Sequence, residues 1–230
     1  MRLAFAIPAR EHWISAAGGL VGVLAMLWTS QALLGAHAGL LAVASMGASA
    51  VLLFAAPHGV LSQPWPVLGG HLISAAVGVA CAQNIGDPML AASLAVALAI
   101  AAMVATRSLH PPGGATALFA VLGGAPIAAL GWHYLFVPVL LNGVVLLVVA
   151  VLFNYPFAWR RYPQAWWREA PCEHPEKCQI PHSALVYALS QIDTFVAVSE
   201  EDLQRIYALA LAAAPDAPPI TRAGIAAALK

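Results

Sequence analysis

Between His12 and Trp159 the chain carries only two charged side chains, Asp87 and Arg107. A stretch so poor in charge offers almost nothing for water to solvate, and it restricts the fold to one whose outer surface is lipid. The composition agrees, with 61% of residues hydrophobic and 9% charged. Six apolar stretches follow one another: Ile14 to Leu34, Ala38 to Ala56, Pro66 to Gln83, Met89 to Thr106, Gly114 to Leu130 and Tyr134 to Phe153. Each approaches the roughly 17 to 25 residues that a helix needs to cross the hydrocarbon. The predicted fold class is therefore all-α, a polytopic membrane protein with about six transmembrane helices in residues 1–155, followed by a short helical tail in residues 156–230.

The first stretch is too long for a signal-peptide core and lacks a small-residue cleavage site followed by a soluble domain, so it is read as retained. With six crossings Arg2, Arg10, Arg107, Arg160, Arg161 and Arg168 share one face with both termini, the cytoplasmic face by the positive-inside rule, and Asp87 falls on the other. Five crossings would split these arginines. The fifth stretch is the weakest, because Gly123, Gly124 and Pro126 interrupt it and admit a re-entrant or broken helix. The chain is electrically balanced and has no basic patch, which argues against nucleic-acid binding. Three cysteines, Cys81, Cys172 and Cys178, give no even framework, and no disulfide is expected.

An internal echo divides the apolar part. Gly47-Ala48-Ser49-Ala50, with an apolar run to Pro57, returns as Gly114-Ala115-Thr116-Ala117 with an apolar run to Pro126. The copies fall in the second and fifth stretches, so the chain reads as three spans plus three spans, the second set inverted. Inverted repeats with Gly/Pro-interrupted segments at matching positions are a recurring plan for transporters and channels, with the site between the repeats. Chance recurrence and plain small-residue helix packing are the competing readings. If helices restart at these sequences, their unpaired amides and positive dipole ends face a shared pocket, with Ser49 and Thr116 as hydroxyl donors. That is an arrangement for an anion.

The densest local signal is Arg107-Ser-Leu-His-Pro-Pro-Gly-Gly-Ala-Thr116. Arg107 is either a fixed positive charge for a ligand or a marker of the cytoplasmic end. Pro111 and Pro112 predict a helix start, since proline cannot complete a preceding helix but fits a first turn. Gly113 and Gly114 permit close backbone approach. No Asp or Glu lies within the six stretches, so anions or neutral solutes fit better than cations. His58, His71, His110 and His133 flank the interrupted segments. Paired histidines can ligate haem iron, but no spacing here identifies such a site, and no cofactor or metal is expected.

Ser108-Leu-His-Pro-Pro-Gly-Gly-Ala-Thr-Ala-Leu118 resembles the signature of the HPP family of integral membrane proteins. Met46-Gly-Ala-Ser-Ala-Val-Leu-Leu-Phe54, then Gln63-Pro64 and Gly69-Gly70-His71, resembles the family's earlier block, and the likeness covers about residues 12 to 155. Because plastid and cyanobacterial members are associated with nitrite transport, the resemblance implies a small-anion carrier or channel rather than an enzyme. By position His110, Pro111, Pro112, Gly113 and Gly114 match the name-giving motif, and Gly47, Ala48, Ser49, Gln63, Pro64, Gly70 and His71 match the earlier one. The binding set expected from residues and resemblance together is Arg107, Ser108, His110, Gly113, Gly114, Ala115, Thr116, Gly47, Ala48, Ser49 and His71, with Pro111, Pro112, Gln63, Pro64 and Gly70 shaping it. The tail is too short for the paired CBS domains of many bacterial relatives. The short leader, with two arginines, is unlike a transit peptide and suggests a bacterial inner membrane.

After Tyr155, Trp159-Arg-Arg-Tyr162 and Trp166-Trp167-Arg168 have the composition of an interfacial anchor. Cys172, His174, Cys178 and His182 are zinc-type ligands at a spacing of no common zinc module, and reduced, unligated cysteines are expected. Ser199-Glu-Glu-Asp202 opens a capped helix whose apolar stripe needs the membrane domain or a second subunit as cover. The expected function is passage of a small inorganic anion through the bilayer, with a homo-oligomer compatible with six short helices. The competing reading is a sensor or scaffold acting through the tail, and a membrane enzyme ranks third.

Overall fold

The computed structural model describes residues 9–34 and 43–166, and every described element is helical. Contacts divide the chain into two units, Met1–Trp167 and Arg168–Lys230. The second unit, with Cys172, His174, Cys178, His182 and the expected tail helices, lies outside the described residues. Within the first unit the elements are α1 (Ala9–Leu34), α2 (Val43–Ala55), a 3-10 turn (Val60–Ser62), α3 (Pro64–Asn84), α4 (Pro88–Ala105), α5 (Pro111–Leu122), α6 (Gly124–Leu130), a 3-10 turn (Gly131–Leu135), a π-helical turn (Phe136–Leu140) and α7 (Leu141–Asn154). Short 3-10 turns, Ala158–Arg160 and Gln164–Trp166, follow.

Proline and polar caps decide where these helices start. α3 and α4 both open on a proline in the first turn, where its missing N–H removes nothing from the helix. At α4 the Asp87 carboxylate also accepts from the Leu90 amide at 2.7 Å, an ordinary N-cap that accounts for one of the two charges in the apolar region. The other, Arg107, ends the same helix. The Ser108 amide donates to the Met103 carbonyl at 2.9 Å and the Arg107 amide to that of Val104 at 3.2 Å, the Schellman pattern. Arg107 thus holds the left-handed position usually given to glycine, with φ 54°.

Among the described residues four helical stretches are long and apolar enough to cross a membrane: Arg10–Leu33, Pro64–Asn84, Pro88–Ala105 and Gly124–Asn154. The second and fifth expected spans are different. Among the described residues they are helical over 13 residues in α2 and 12 in α5, about 20 and 18 Å at 1.5 Å per residue against a hydrocarbon core of about 30 Å. Composition read through a window does not see backbone breaks. The fifth stretch breaks at Gly123–Gly124, where Gly124 takes φ +77°, and the sixth bends at Val137, whose φ −132° and ψ 107° leave the helical region.

The helices pack chiefly as α1 with α2 and α7, and α3 with α4 and α5. In the first group Phe54 fills a groove made by two glycines, since a Cβ at Gly18 or Gly22 would lie 2.5 Å from its ring. In the second, α3 and α5 touch backbone to backbone. A Cβ at Gly70 would lie 2.6 Å from His110 Cβ, and one at Gly78 would lie 2.6 Å from the Ala117 carbonyl oxygen. Small residues of this kind let helices approach where lipid supplies no hydrophobic drive.

Hydrogen bonds tie one end of the unit together. Arg160 reaches Glu11 on α1 at 2.5 Å and the Phe54 carbonyl of α2 at 2.5 Å, Trp65 Nε1 donates to the Thr106 carbonyl at 3.1 Å, and His58 Nε2 to that of Arg161 at 3.2 Å. Arg10, Arg107, Arg160 and Arg161 therefore share this end, while Asp87 sits at the opposite end of α4. Residues 156–166, grouped above with the tail, pack into this end: Tyr162 is buried and donates to the Ser62 carbonyl at 2.7 Å.

Candidate functional site

Four polar side chains meet in the interior: Ser49 on α2, His71 on α3, His110 at the N-cap of α5 and Thr116 within α5, all 0–1% exposed. Ser49 Oγ stands 2.7 Å from His71 Nε2 and 2.8 Å from His110 Nε2. The far nitrogen of His71, Nδ1, lies 2.7 Å from Thr116 Oγ1, and that of His110, Nδ1, lies 2.8 Å from the Leu61 carbonyl oxygen. The imidazole centroids are 4.9 Å apart with planes at 67°. Ser49 and Thr116, the matching positions of the sequence echo, thus engage the two nitrogens of one histidine.

The carbonyl at the end of this chain fixes the hydrogens. Leu61 O accepts only, so His110 Nδ1 must carry its proton. In the uncharged state His110 Nε2 then accepts from Ser49 Oγ–H, His71 Nε2–H donates to Ser49 Oγ, and Thr116 Oγ1–H donates to His71 Nδ1. Every polar atom is used, and the bonds all run in one direction from Thr116 to Leu61. Each hydroxyl also has a second acceptor, Ser49 in the Ser45 carbonyl at 3.3 Å and Thr116 in that of Pro112 at 3.4 Å. The elements about the pair, α2 to α5, carry no Asp, Glu, Lys or Arg between their first and last residues. Two imidazolium ions at the 4.9 Å centroid distance would repel by roughly 3 kcal/mol at an effective dielectric of about 20, so the site favours at most one positive charge.

The surrounding sequence holds this geometry. Gly113 lies where a Cβ would meet Ser74 Oγ at 2.7 Å and the Gly70 carbonyl oxygen at 2.9 Å, so both glycines are needed for α5 to reach α3. Gln63 secures the turn that presents Leu61: its Nε2 donates to the Pro57 and Gly59 carbonyls, both at 3.1 Å, and its Oε1 accepts from the Gln164 amide at 3.1 Å. Ser62 bonds the Leu52 carbonyl at 3.1 Å in the same turn. Burial pushes the Tyr162 phenol up, which keeps it a donor to that turn. Pro64 begins α3, about two turns before His71.

The remaining expected residues divide. Ser108 is buried, yet its hydroxyl lies 2.8 Å from Thr106 Oγ1 rather than on an imidazole. Ala48 and Ala115 are exposed, and a Cβ at Gly47 or Gly114 would meet nothing within 4 Å. Arg107 is exposed, and its guanidinium makes no hydrogen bond or ion pair among the described residues. The expected free amides are also corrected. Gly47-Ala48-Ser49 lies inside α2 instead of at its start. At the start of α5, Pro111 and Pro112 have no N–H, and the Gly113 amide donates to the His110 carbonyl at 2.8 Å. The prolines that start the helix are the residues that remove its free donors. His58 bonds elsewhere and His133 is exposed. Among the described residues no three His, Cys, Asp or Glu side chains converge as a metal site would require.

Three contributors had no sequence signal: the Leu61 carbonyl, Tyr134, whose buried hydroxyl donates to the Thr116 carbonyl at 3.3 Å, and the burial of Arg160. Asn142 finds an interhelical partner, Ser30 Oγ at 2.5 Å, while its Nδ2 has none among the described residues.

Compared with known proteins, residues 5–163 match the family described as HPP, transmembrane region. Two transmembrane proteins of Dictyostelium discoideum are similar, one 43% identical over 54% of this chain and 40% of its own length, the other 38% identical over 67% of this chain and 54% of its own. The chain therefore spans about half the length of these curated relatives. No solved structure matches.

Proposed function

Because the chain belongs to the HPP transmembrane family, and is thus a membrane protein, we propose that it moves a small inorganic anion across the bilayer and that Ser49, His71, His110 and Thr116 form the site. The observation that carries this reading is the meeting of the two short helices, α2 and α5, on the two nitrogens of one buried histidine. Ionisable side chains inside an apolar membrane bundle are rare and tend to mark a ligand site or pathway. This one contains donors and titratable imidazoles but no carboxylate, which suits an anion. Nitrite is the substrate of choice by the family resemblance.

The inverted-repeat reading enters with it. Gly47 and Gly114 are half-buried, Ala48 and Ala115 exposed, and Ser49 and Thr116 buried, so the echo repeats in exposure as well as in sequence. Arg107, at the arginine-bearing end, would gather anions at the entrance without touching them inside. That end is assigned to the cytoplasm of a bacterial cell with both termini on it, in keeping with the positive-inside rule. On this reading the protein is a transporter and not an enzyme, its partners are the anion, the bilayer and, where it assembles, further copies of itself.

Reconstitution in liposomes tests the reading. Nitrite entry is measured against nitrate, formate, chloride and phosphate, for the native protein and for His71→Gln. Saturable nitrite-selective entry that the variant lacks is expected. Absence of protein-dependent entry for all five anions would overturn it.

A further inference from the structure

We propose that the Ser49-bridged histidine pair takes up one proton with each anion, so that the protein carries anion and proton together as an electroneutral pair. The inference rests on the anion reading above and adds the coupling ion. It starts from the hydrogen-bond arithmetic of the cluster. In the uncharged state Ser49 has a single proton to give, and the Leu61 carbonyl obliges it to give that proton to His110 Nε2. When a proton binds His110 Nε2, a new N–H bond forms, no other covalent bond changes, and that nitrogen turns from acceptor to donor. Ser49 then turns its O–H toward the Ser45 carbonyl at 3.3 Å and accepts from both Nε2–H groups. One hydroxyl rotation therefore lets the cluster hold either zero or one added proton with every partner satisfied, and release reverses it.

Coupling follows from what is missing around the cluster. α2, α3, α4 and α5 carry no Asp, Glu, Lys or Arg, and the side chains hydrogen-bonded to the two imidazoles are the hydroxyls of Ser49 and Thr116. A buried imidazolium without a counter-charge is unstable, and so is a buried anion without a cation. Each therefore raises the affinity for the other, a reciprocal linkage. A second proton is opposed by the first, which sets the ratio at one proton per monovalent anion.

The test uses the full chain in liposomes with nitrite as the probe, a trapped pH-sensitive dye, a potassium–valinomycin clamp on the membrane potential, and protein-free vesicles to subtract the acid's own leak. The expected result is one proton entering per nitrite, at an initial rate that an inward proton gradient raises and the clamped potential leaves unchanged. Ser49→Ala is expected to lower coupled entry at least ten-fold, and Ser49→Thr, which keeps the hydroxyl, to retain the one-to-one ratio. Saturable nitrite entry without protons, following the potential, would overturn the coupling and leave the anion reading standing. Full one-to-one coupling in Ser49→Ala would remove Ser49 from the relay. A lack of any saturable nitrite entry would overturn the anion reading itself, and the coupling with it.

Discussion

Two buried polar assemblies hold this helical bundle, and they are built in opposite ways. At the arginine-bearing end, Arg160, 3% exposed, donates to Glu11 and the Phe54 carbonyl at 2.5 Å, to Asn154 Oδ1 at 3.1 Å and to Ser15 Oγ at 3.3 Å, while Trp159 Nε1 adds a bond to Glu11 at 2.5 Å. Arg10 lies over the Trp159 ring at 4.7 Å. Here a permanent cation meets a carboxylate and fixed carbonyls, so each bond has one direction only, and the ends of α1, α2 and α7 are clamped. In the interior cluster no charge is permanent, both hydroxyls have a second acceptor, and the hydrogens can be rearranged without moving a heavy atom. Fixed charge serves architecture in this protein, and groups that can be charged serve the proposed transport.

The largest way to break that contrast is Arg160→Ala, which takes from Glu11 its ion-pair partner and from the Phe54 carbonyl and Asn154 Oδ1 their guanidinium donor. A loss of about 3 to 5 kcal/mol is expected, read as a lower midpoint of thermal unfolding in detergent, with Arg160→Lys intermediate. Next comes a pair of adjacent glycines. Gly113→Ala forces α5 from α3 at a cost of roughly 1 to 3 kcal/mol and is expected to abolish nitrite entry. Gly114→Ala, facing open space, is expected to leave entry intact and to gain up to about 1 kcal/mol from helix propensity. Equal effects from the two would refute the packing assigned to Gly113.

Ser49→Ala removes the shared partner of both imidazoles, with an expected cost of about 1 to 3 kcal/mol, smaller than for Arg160→Ala, yet with near-complete loss of entry. The smallest effect belongs to Arg107→Gly, which relieves a left-handed arginine and is expected to add about 1 kcal/mol of stability, measured by the same thermal unfolding, while raising the anion concentration needed for half-maximal entry.

The residues of the interior cluster are legible in the sequence more fully than their geometry. Ser49 and Thr116 stood out through the echo, and His71 and His110 through the motifs, because polar residues are conspicuous where almost everything else is apolar. That the four converge depends on Gly70 and Gly113 letting α3 and α5 touch, and no composition window reports this. Arg107 is conspicuous for the same reason. A lone cation in an apolar stretch draws the eye, but a left-handed turn at the end of α4 carries it outward. Arg160 shows the reverse, an arginine with the look of an interfacial anchor that the fold buries among its partners.

The measurement that bears most directly on this account sets Ser49→Ala beside Arg107→Ala in the same liposome assay, with equal amounts of folded protein. Nitrite entry lost in Ser49→Ala and retained in Arg107→Ala is the expected result, since it locates the site in the neutral interior cluster. Entry retained in Ser49→Ala and lost in Arg107→Ala would contradict the account and return the binding site to the exposed arginine.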